Sequence, residues 1–116
     1  MDSKLREIIA YKHYFPEFFQ SLPKEVQEKF VYLFRLIQTV QRIPEKFLKH
    51  LEGTKGLYEI RVMVGSNIYR AFCCFDKGNL VILFNAFHKK SQKTPPKEIE
   101  LAEKLMNEYF DQKKNQ

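Results

Sequence analysis

The chain has 116 residues, and a hydrophobic content of 44% with 11 Phe and 6 Tyr excludes a disordered protein and fits one domain over residues 1–116. No apolar run approaches the roughly 20 residues that span a bilayer, and the charged N-terminal segment lacks the apolar core of a secretory signal. Cys73 and Cys74 are adjacent and should point to opposite faces of a strand, which suits neither a disulfide nor a metal site. A cytoplasmic protein is therefore expected.

The net charge of +6 is distributed unevenly along the chain. Between Arg42 and Lys97, eleven Lys and Arg residues stand against four Asp and Glu, whereas the rest of the chain has nine against ten. The positive excess is thus confined to one segment, as expected for a surface that binds a polyanion. A basic face that serves only solubility would have the same composition.

The N-terminal half is predicted to contain one strand and two helical segments. The stretch "LREIIAYKHY" (5–14) fits a strand, and residues 16–20 fit a short helical turn. A longer helix is expected to begin at Pro23, with Ser21 as a candidate cap, and to end before Pro44. Apolar residues recur along it at spacings of three and four, which predicts one buried stripe: Val26, Phe30, Leu33, Ile37 and Val40.

The C-terminal half is predicted to contain a three-stranded meander followed by a helix. The strands "LYEIRVMV", "NIYRAFCCF" and "LVILFNAFH" are joined by tight-turn sequences at 65–66 and 76–79. The segment 45–56 before them should be a loop or a short helix, and Thr94 should cap the last helix. This order predicts an α+β fold in which a small antiparallel sheet, the meander plus the N-terminal strand, has helices packed on one face.

The first hairpin places two arginines opposite each other. If Gly65 and Ser66 form the loop, the apolar residues of both strands share one face, and Arg61 lies directly across from Arg70 on the other. Two like charges in that position cost stability, and Glu59 could neutralise one of them. The pattern favours an anion-binding role for the pair, with two separate structural ion pairs as the alternative.

A cluster of basic residues follows the last strand, in "FNAFHKKSQKTPPKEIELAEK" (84–104). Flexible Lys side chains at a strand end, before a helix N-terminus, are typical of a phosphate-binding surface. The segment before the meander carries further basic residues that could line the opposite wall of a groove: Lys46, Lys49, His50 and Lys55.

The pieces "GLYEIRV", "NIYRAF" and "FHKKSQKTPPKEIELA" resemble the RelE/HigB superfamily of bacterial type II toxins, most closely its phage-derived, HigB-like subfamily. The third piece is similar to the subfamily pattern F-x-K-K-T-x-K-T-P followed by an acidic helix, with Ser91 in place of the Thr. The order of elements agrees over nearly the whole chain, which implies a RelE-like fold.

The resemblance implies a ribosome-dependent mRNA endonuclease that needs no metal or other cofactor. In such enzymes the ribose 2′-OH of the message attacks the adjacent phosphorus and leaves a 2′,3′-cyclic phosphate and a 5′-OH. By matching position, the resemblance implies catalytic roles for Arg61, Arg70 and Lys90. His88 is added as a candidate general acid or base because the unperturbed pKa of histidine is near neutrality. It occupies the variable position of the pattern, so the resemblance does not support this role, and packing at a strand end is the alternative. The resemblance implies RNA binding by Lys89 and Lys93, and the basic segment before the meander adds Lys49, His50 and Lys55 as further candidate RNA-binding residues.

The resemblance also implies a cognate antitoxin, typically one with a helix-turn-helix DNA-binding domain, and no membrane partner. Two other functions stay open. A toxin of the related ParE branch would poison DNA gyrase without cutting RNA, and a non-catalytic module would bind nucleic acid without either effect.

Overall fold

The computed structural model describes residues 4–89 and 93–115, which form an α+β fold with a five-stranded mixed sheet and three α-helices. The predicted fold class is therefore confirmed. None of the helices within the described residues is both long and apolar enough to cross a membrane. The elements are β1 (Glu7–Ala10), α1 (Tyr14–Gln20), α2 (Lys24–Thr39), β2 (Leu48–His50), β3 (Tyr58–Val64), β4 (Asn67–Asp76), a 3₁₀ turn (Lys77–Asn79), β5 (Leu80–Lys89) and α3 (Pro96–Lys114).

The long helix α2 follows its apolar periodicity. Its buried residues are Val26, Phe30, Leu33 and Ile37, four of the five in the predicted stripe; the fifth, Val40, is exposed. The helix ends at Thr39, and Val40 already has extended backbone angles. Ser21 does not cap α2; its hydroxyl donates to the Phe18 carbonyl and closes α1 instead.

The strand order is β1-β5-β4-β3-β2, and the meander β3-β4-β5 is antiparallel as predicted. Two details of the sheet differ from the sequence-based expectation. β1 pairs with β5 in parallel, with Glu7 opposite Leu80, so the sheet is mixed rather than purely antiparallel. The short strand β2 extends the other edge by pairing Leu48 with Ile60, where a loop or helix was expected.

Helices cover both faces of the sheet, so the expectation of helices on one face is wrong. On the α1/α2 face, residues such as Phe30 and Ile37 pack against Ala71. On the α3 face, Leu105 packs in a cluster with Phe72. The physical reason lies in β4 and β5, where consecutive apolar residues at 71–74 and 81–84 present apolar side chains on both faces.

Helix α3 is attached to the sheet by polar contacts near its C-terminal end. Asp76, at the end of β4, accepts hydrogen bonds from the Tyr109 hydroxyl and the Lys113 ammonium group. At its other end, the helix begins after Pro95 and has no side-chain cap, so Thr94 does not have the predicted capping role. The hydroxyl of Thr94 is instead directed to a carboxylate on β3, described below.

Candidate active site

The tight turn at Gly65 sets the register of the first hairpin. Gly65 has a φ of 60°, a left-handed conformation that glycine adopts without strain. In the resulting register Arg61 pairs directly with Arg70, as counted from the sequence. Because side chains alternate along a strand, both arginines lie on the same side of the sheet as Phe72, which is the α3 face.

One buried carboxylate serves both arginines. Glu59 is 5% exposed, and its Oε1 atom lies 3.9 Å from Nε of Arg61 and 3.6 Å from Nε of Arg70. Its second oxygen, Oε2, accepts a 3.0 Å hydrogen bond from the Thr94 hydroxyl. The two guanidinium groups are thus held close together on either side of one anion, as expected from adjacent-strand spacing.

The two arginines differ in their access to solvent. The Arg70 side chain is 5% exposed and donates through Nη1 to the Tyr69 carbonyl, whereas the Arg61 side chain is 30% exposed. Burial, and then the charge of Arg61, lower the pKa of Arg70, and Glu59 partly offsets this effect. Arg70 stays charged at neutral pH because guanidinium is a very strong base. Arg61 is therefore the more solvent-accessible of the two arginines.

Lys89 adds a third cation to the same face. It pairs with Ile68 at the end of β5, two positions from Phe87, which pairs with Arg70. Partial burial lowers the pKa of Lys89, and the charges of Arg70 and Arg61 lower it further, against an opposing effect of Glu59. The strand register thus places Lys89 on the arginine face, where positive charges outnumber the one carboxylate of Glu59.

A cleft of about 750 Å³ lies between α2 and β3, and both arginines contribute to its lining. Its apolar wall includes Tyr32, Phe47 and Met63, of which Tyr32 and Met63 are 61% and 59% exposed. Its charged lining also includes Glu25, Glu28, Lys29 and Lys46. Glu59 and Thr94 are not part of this lining. The carboxylate of Glu59 therefore does not contact the cleft.

The structure does not bring either predicted histidine to the arginines. His88 pairs with Tyr69, stacks on its ring at 4.6 Å and contacts the Asn67 side chain at 3.2 Å, all on the α1/α2 face. An irregularity between Ala71 and Cys73 shifts the β4–β5 register by one residue. Without this irregularity, a register counted from the 76–79 turn would place His88 on the same face as Arg61 and Arg70. His50 also lies on the other face, against Tyr58.

The predicted lysines have different positions relative to the arginines. Lys49 pairs with Glu59 across β2 and β3, so it is exposed on the arginine face, and Lys46 lines the cleft. Lys55 and Lys93 are exposed, while Lys90 lies outside the described residues. Across residues 4–89 and 93–115, no group of three His, Cys, Asp or Glu side chains is arranged to hold a metal ion.

Sequence reasoning missed the contribution of α2 to the cleft and the contact of Thr94 with Glu59. One signal for the first was present: Val31 and Tyr32 are apolar or aromatic residues on the otherwise polar side of α2, and both are exposed. The contact of Thr94 with Glu59 could not be predicted from the sequence, because the two residues lie on separate elements.

Comparison with known proteins identifies the family of this chain. Residues 17–107 match the model of the family described as phage-derived protein Gp49-like (DUF891). The chain belongs to this family, which is one of RelE/HigB-like toxins.

A solved structure is similar in fold. A chain from the crystal structure of the archaeal RelE–RelB complex of Pyrococcus horikoshii OT3 is 24% identical, with a TM-score of 0.52. The match covers 72% of this chain and 94% of that chain. Among curated proteins, none matches this chain significantly.

Proposed function

We propose that this protein is the toxin of a type II toxin–antitoxin system and cleaves mRNA on the ribosome. The observation that carries the proposal is the arrangement of Arg61 and Arg70, which lie side by side on one face and line the same cleft. Planar guanidinium forks are suited to the non-bridging oxygens of a phosphodiester. Membership of a RelE/HigB-like toxin family supports the same function.

The reaction needs no nucleophile from the protein. The ribose 2′-OH of the message attacks the adjacent phosphorus, the bond from phosphorus to the 5′-oxygen breaks, and the proton lost from the 2′-OH is balanced by one gained at the 5′-oxygen. Negative charge accumulates on the phosphoryl oxygens in the transition state, where fixed cations stabilise it most. In this mechanism the more exposed Arg61 contacts the phosphate from the solvent side. The buried Arg70 supports the phosphate from the protein side, and Lys89 adds positive charge.

The proposed partners are a ribosome-bound message and a cognate antitoxin, expected to carry a helix-turn-helix domain. The fold neighbour comes from a complex named for RelE and RelB, which supports a protein partner here. Translating ribosomes are in the cytoplasm, so we place the activity of this single domain there.

The decisive test is translation of a defined message with and without the protein, followed by mapping of the new 5′ ends. We expect cuts within codons that appear only on translating ribosomes. Arg61→Ala should slow single-turnover cleavage by on the order of 10²–10³, as for the loss of other transition-state donors. Arg61→Lys should recover only part of the rate, because an ammonium group cannot make the two-pronged contact.

Arg35→Ala is the matched control, because Arg35 is an exposed arginine on α2 outside the cleft lining. It should cleave at the parental rate. A folded Arg61→Ala protein that also cleaves at the parental rate would remove Arg61 from the site. Intact message together with inhibited DNA supercoiling would replace the nuclease with the gyrase-poisoning function, and RNA binding without either effect would indicate a non-catalytic module.

A further inference from the structure

The buried carboxylate of Glu59 contacts both arginines and Thr94. We propose that Glu59 is a positioning residue for the cleavage reaction, which holds Arg61 and Arg70 by their Nε sides so that their terminal Nη groups face the scissile phosphate. Thr94 fixes Glu59 in turn. The expected effect on the cleavage rate rests on the proposed nuclease function. The positioning of the two arginines can be measured without that function.

The distances support a hold at the Nε atoms, which leaves the Nη groups of Arg61 and the Nη2 group of Arg70 for the phosphate, because Nη1 of Arg70 donates to the Tyr69 carbonyl. At 3.9 and 3.6 Å from Oε1, the Nε atoms of Arg61 and Arg70 are within ion-pair range but beyond a hydrogen bond. Within the described residues, both Nε atoms are buried without a hydrogen-bond partner. The attraction is therefore electrostatic and located at the base of each guanidinium. Both arginines line the cleft and Glu59 does not, so we take the cleft as the substrate side of the pair.

The charge of Glu59 is needed because the arginines face each other directly. Two guanidinium groups on opposed strand positions repel, and the repulsion is strong where water is excluded, as it is around Arg70. A neutral side chain at position 59 would leave that repulsion uncompensated. Arg70 would then gain by rotating away from Arg61, which would separate the two forks.

Thr94 connects this arrangement to the chain segment before α3. Its hydroxyl donates to Oε2, which leaves Oε1 directed at both arginines. A threonine just before a helix usually caps it, but here the N-cap is Pro95 and the Thr94 hydroxyl is committed to Glu59. The orientation of the carboxylate thus depends on how the segment containing Lys93 and Thr94 is placed.

Two substitution pairs test the proposal by single-turnover kinetics on a saturating, ribosome-bound message. Glu59→Gln removes the charge with little change in size, and we expect the rate to fall by roughly 10- to 100-fold, as for a catalytic group displaced by about 1 Å. Affinity for the ribosome-bound message should stay level or increase, since a negative charge near the phosphate is removed. Glu59→Asp should recover part of the rate. Thr94→Val should also lower the cleavage rate, and the rate of Thr94→Ser should be closer to that of the parent than the rate of Thr94→Val.

A purely structural role would give a different result. It would lower the folded fraction, and the rate and affinity per folded molecule would both stay at the parental values. Glu7→Gln is the matched control for charge, because Glu7 is an exposed glutamate on β1, at the other side of the sheet. It should leave rate and affinity unchanged.

The second measurement does not depend on activity. In nuclear magnetic resonance spectra of the parent, the Nε–Hε groups of Arg61 and Arg70 should give two dispersed, slowly exchanging signals. In Glu59→Gln both should move towards the values of exposed arginines and broaden. Glu7→Gln should not change them.

The outcomes separate the two proposals. If Arg61→Ala abolishes cleavage while Glu59→Gln cleaves at the parental rate with unchanged arginine signals, the inference about Glu59 is wrong and the nuclease function stands. If the parent cuts no message but Glu59→Gln disturbs both arginine signals, Glu59 positions the arginines and the nuclease proposal is wrong.

Discussion

Arg61 and Arg70 face each other across two strands, but their side chains have different surroundings. Arg70 is nearly buried beside Glu59, so Arg70→Ala would leave a cavity and remove the nearer of the two guanidinium partners of this buried carboxylate. We expect it to lower the free energy of unfolding by on the order of 3 kcal/mol, as for other broken buried ion pairs. Arg61 is more exposed, and Arg61→Ala should cost less than about 1 kcal/mol.

Urea denaturation of both variants, monitored by far-ultraviolet circular dichroism, measures this difference. Arg35→Ala on the exposed side of α2 serves as the reference for losing one surface arginine. Equal free energies of unfolding for Arg70→Ala and Arg61→Ala would mean that the burial of Arg70 does not increase its contribution to stability above that of Arg61. From the two facing positive charges alone, removal of either arginine would not be expected to lower stability. The ion pair of Arg70 with Glu59 reverses that expectation for Arg70.

Lys89 should give the reaction a limit at alkaline pH. Burial and the two arginines lower its pKa, so its ammonium form is lost at a lower pH than that of an exposed lysine. If its charge contributes to transition-state binding, single-turnover cleavage should fall as the pH rises through that value. Lys89→Arg should keep the charge and move the decline to higher pH, whereas Lys89→Met should lower the rate and remove this part of the pH dependence.

The pairing of Arg61 with Arg70 was predictable from the sequence because one two-residue turn determines the whole hairpin register. The face on which His88 lies was not predictable, because the extra residue in the β4–β5 pairing leaves no reliable sequence signal. That one residue exchanges the faces of His88 and Lys89. The burial of Glu59 could not be predicted from the sequence either, because it depends on Thr94 and on neighbouring strands that are distant in the chain.

Among the elements, α2 and the meander could be predicted because their apolar periods are long and regular. β2 could not, since three residues are too few for a period to be visible. The partner of β1 could not be predicted either, because four residues contain no information on whether they pair in parallel or antiparallel.

At the level of elements, Asp76 should make the attachment of α3 sensitive to acid. Hydrogen bonds from Lys113 and Tyr109 lower the pKa of Asp76 to about 2. Since the folded pKa is below the unfolded one of about 4, this stabilisation is complete above pH 4 and is lost as the pH falls towards 2. Asp76→Asn should reduce the free energy of unfolding at pH 7 by roughly 1–3 kcal/mol, as for hydrogen bonds to a charged group.

Thermal unfolding of parent and Asp76→Asn between pH 2 and pH 7 tests this expectation. The gap between the two proteins should narrow as the pH falls. Asp111→Asn is the control, because it removes an exposed carboxylate from α3. A gap that stays constant over the whole range would show that the ionisation of Asp76 does not contribute to stability.

On the scale of the whole molecule, the confined excess of positive charge should make binding depend on salt. Each lysine that neutralises an RNA phosphate releases condensed counterions, so the logarithm of the affinity should fall linearly with the logarithm of salt concentration. The simultaneous substitution of Lys89, Lys90 and Lys93 by Ala should flatten that slope by about one for each phosphate that the variant no longer neutralises.

A matched triple variant carries three Lys→Ala changes outside the basic segment, at Lys4, Lys24 and Lys114, which are exposed. It has the same reduced net charge but should keep the parental slope. Filter binding to ribosomes over a series of potassium chloride concentrations measures both. Equal slopes for the two triple variants would show that the three lysines near the strand end act only through net charge.

The parallel pairing of β1 with β5 has a consequence for the order in which the chain folds. Glu7 meets Leu80 only after more than half of the chain has been made, whereas Arg61 and Arg70 are joined by a short hairpin. Contacts between residues near in sequence close first, because their loop-closure entropy is small. The hairpin that carries the arginines can therefore form early during synthesis, and the β1 edge is completed late. An engineered change that slows β1 docking should expose the flank of β5 to aggregation before it disturbs the arginine hairpin.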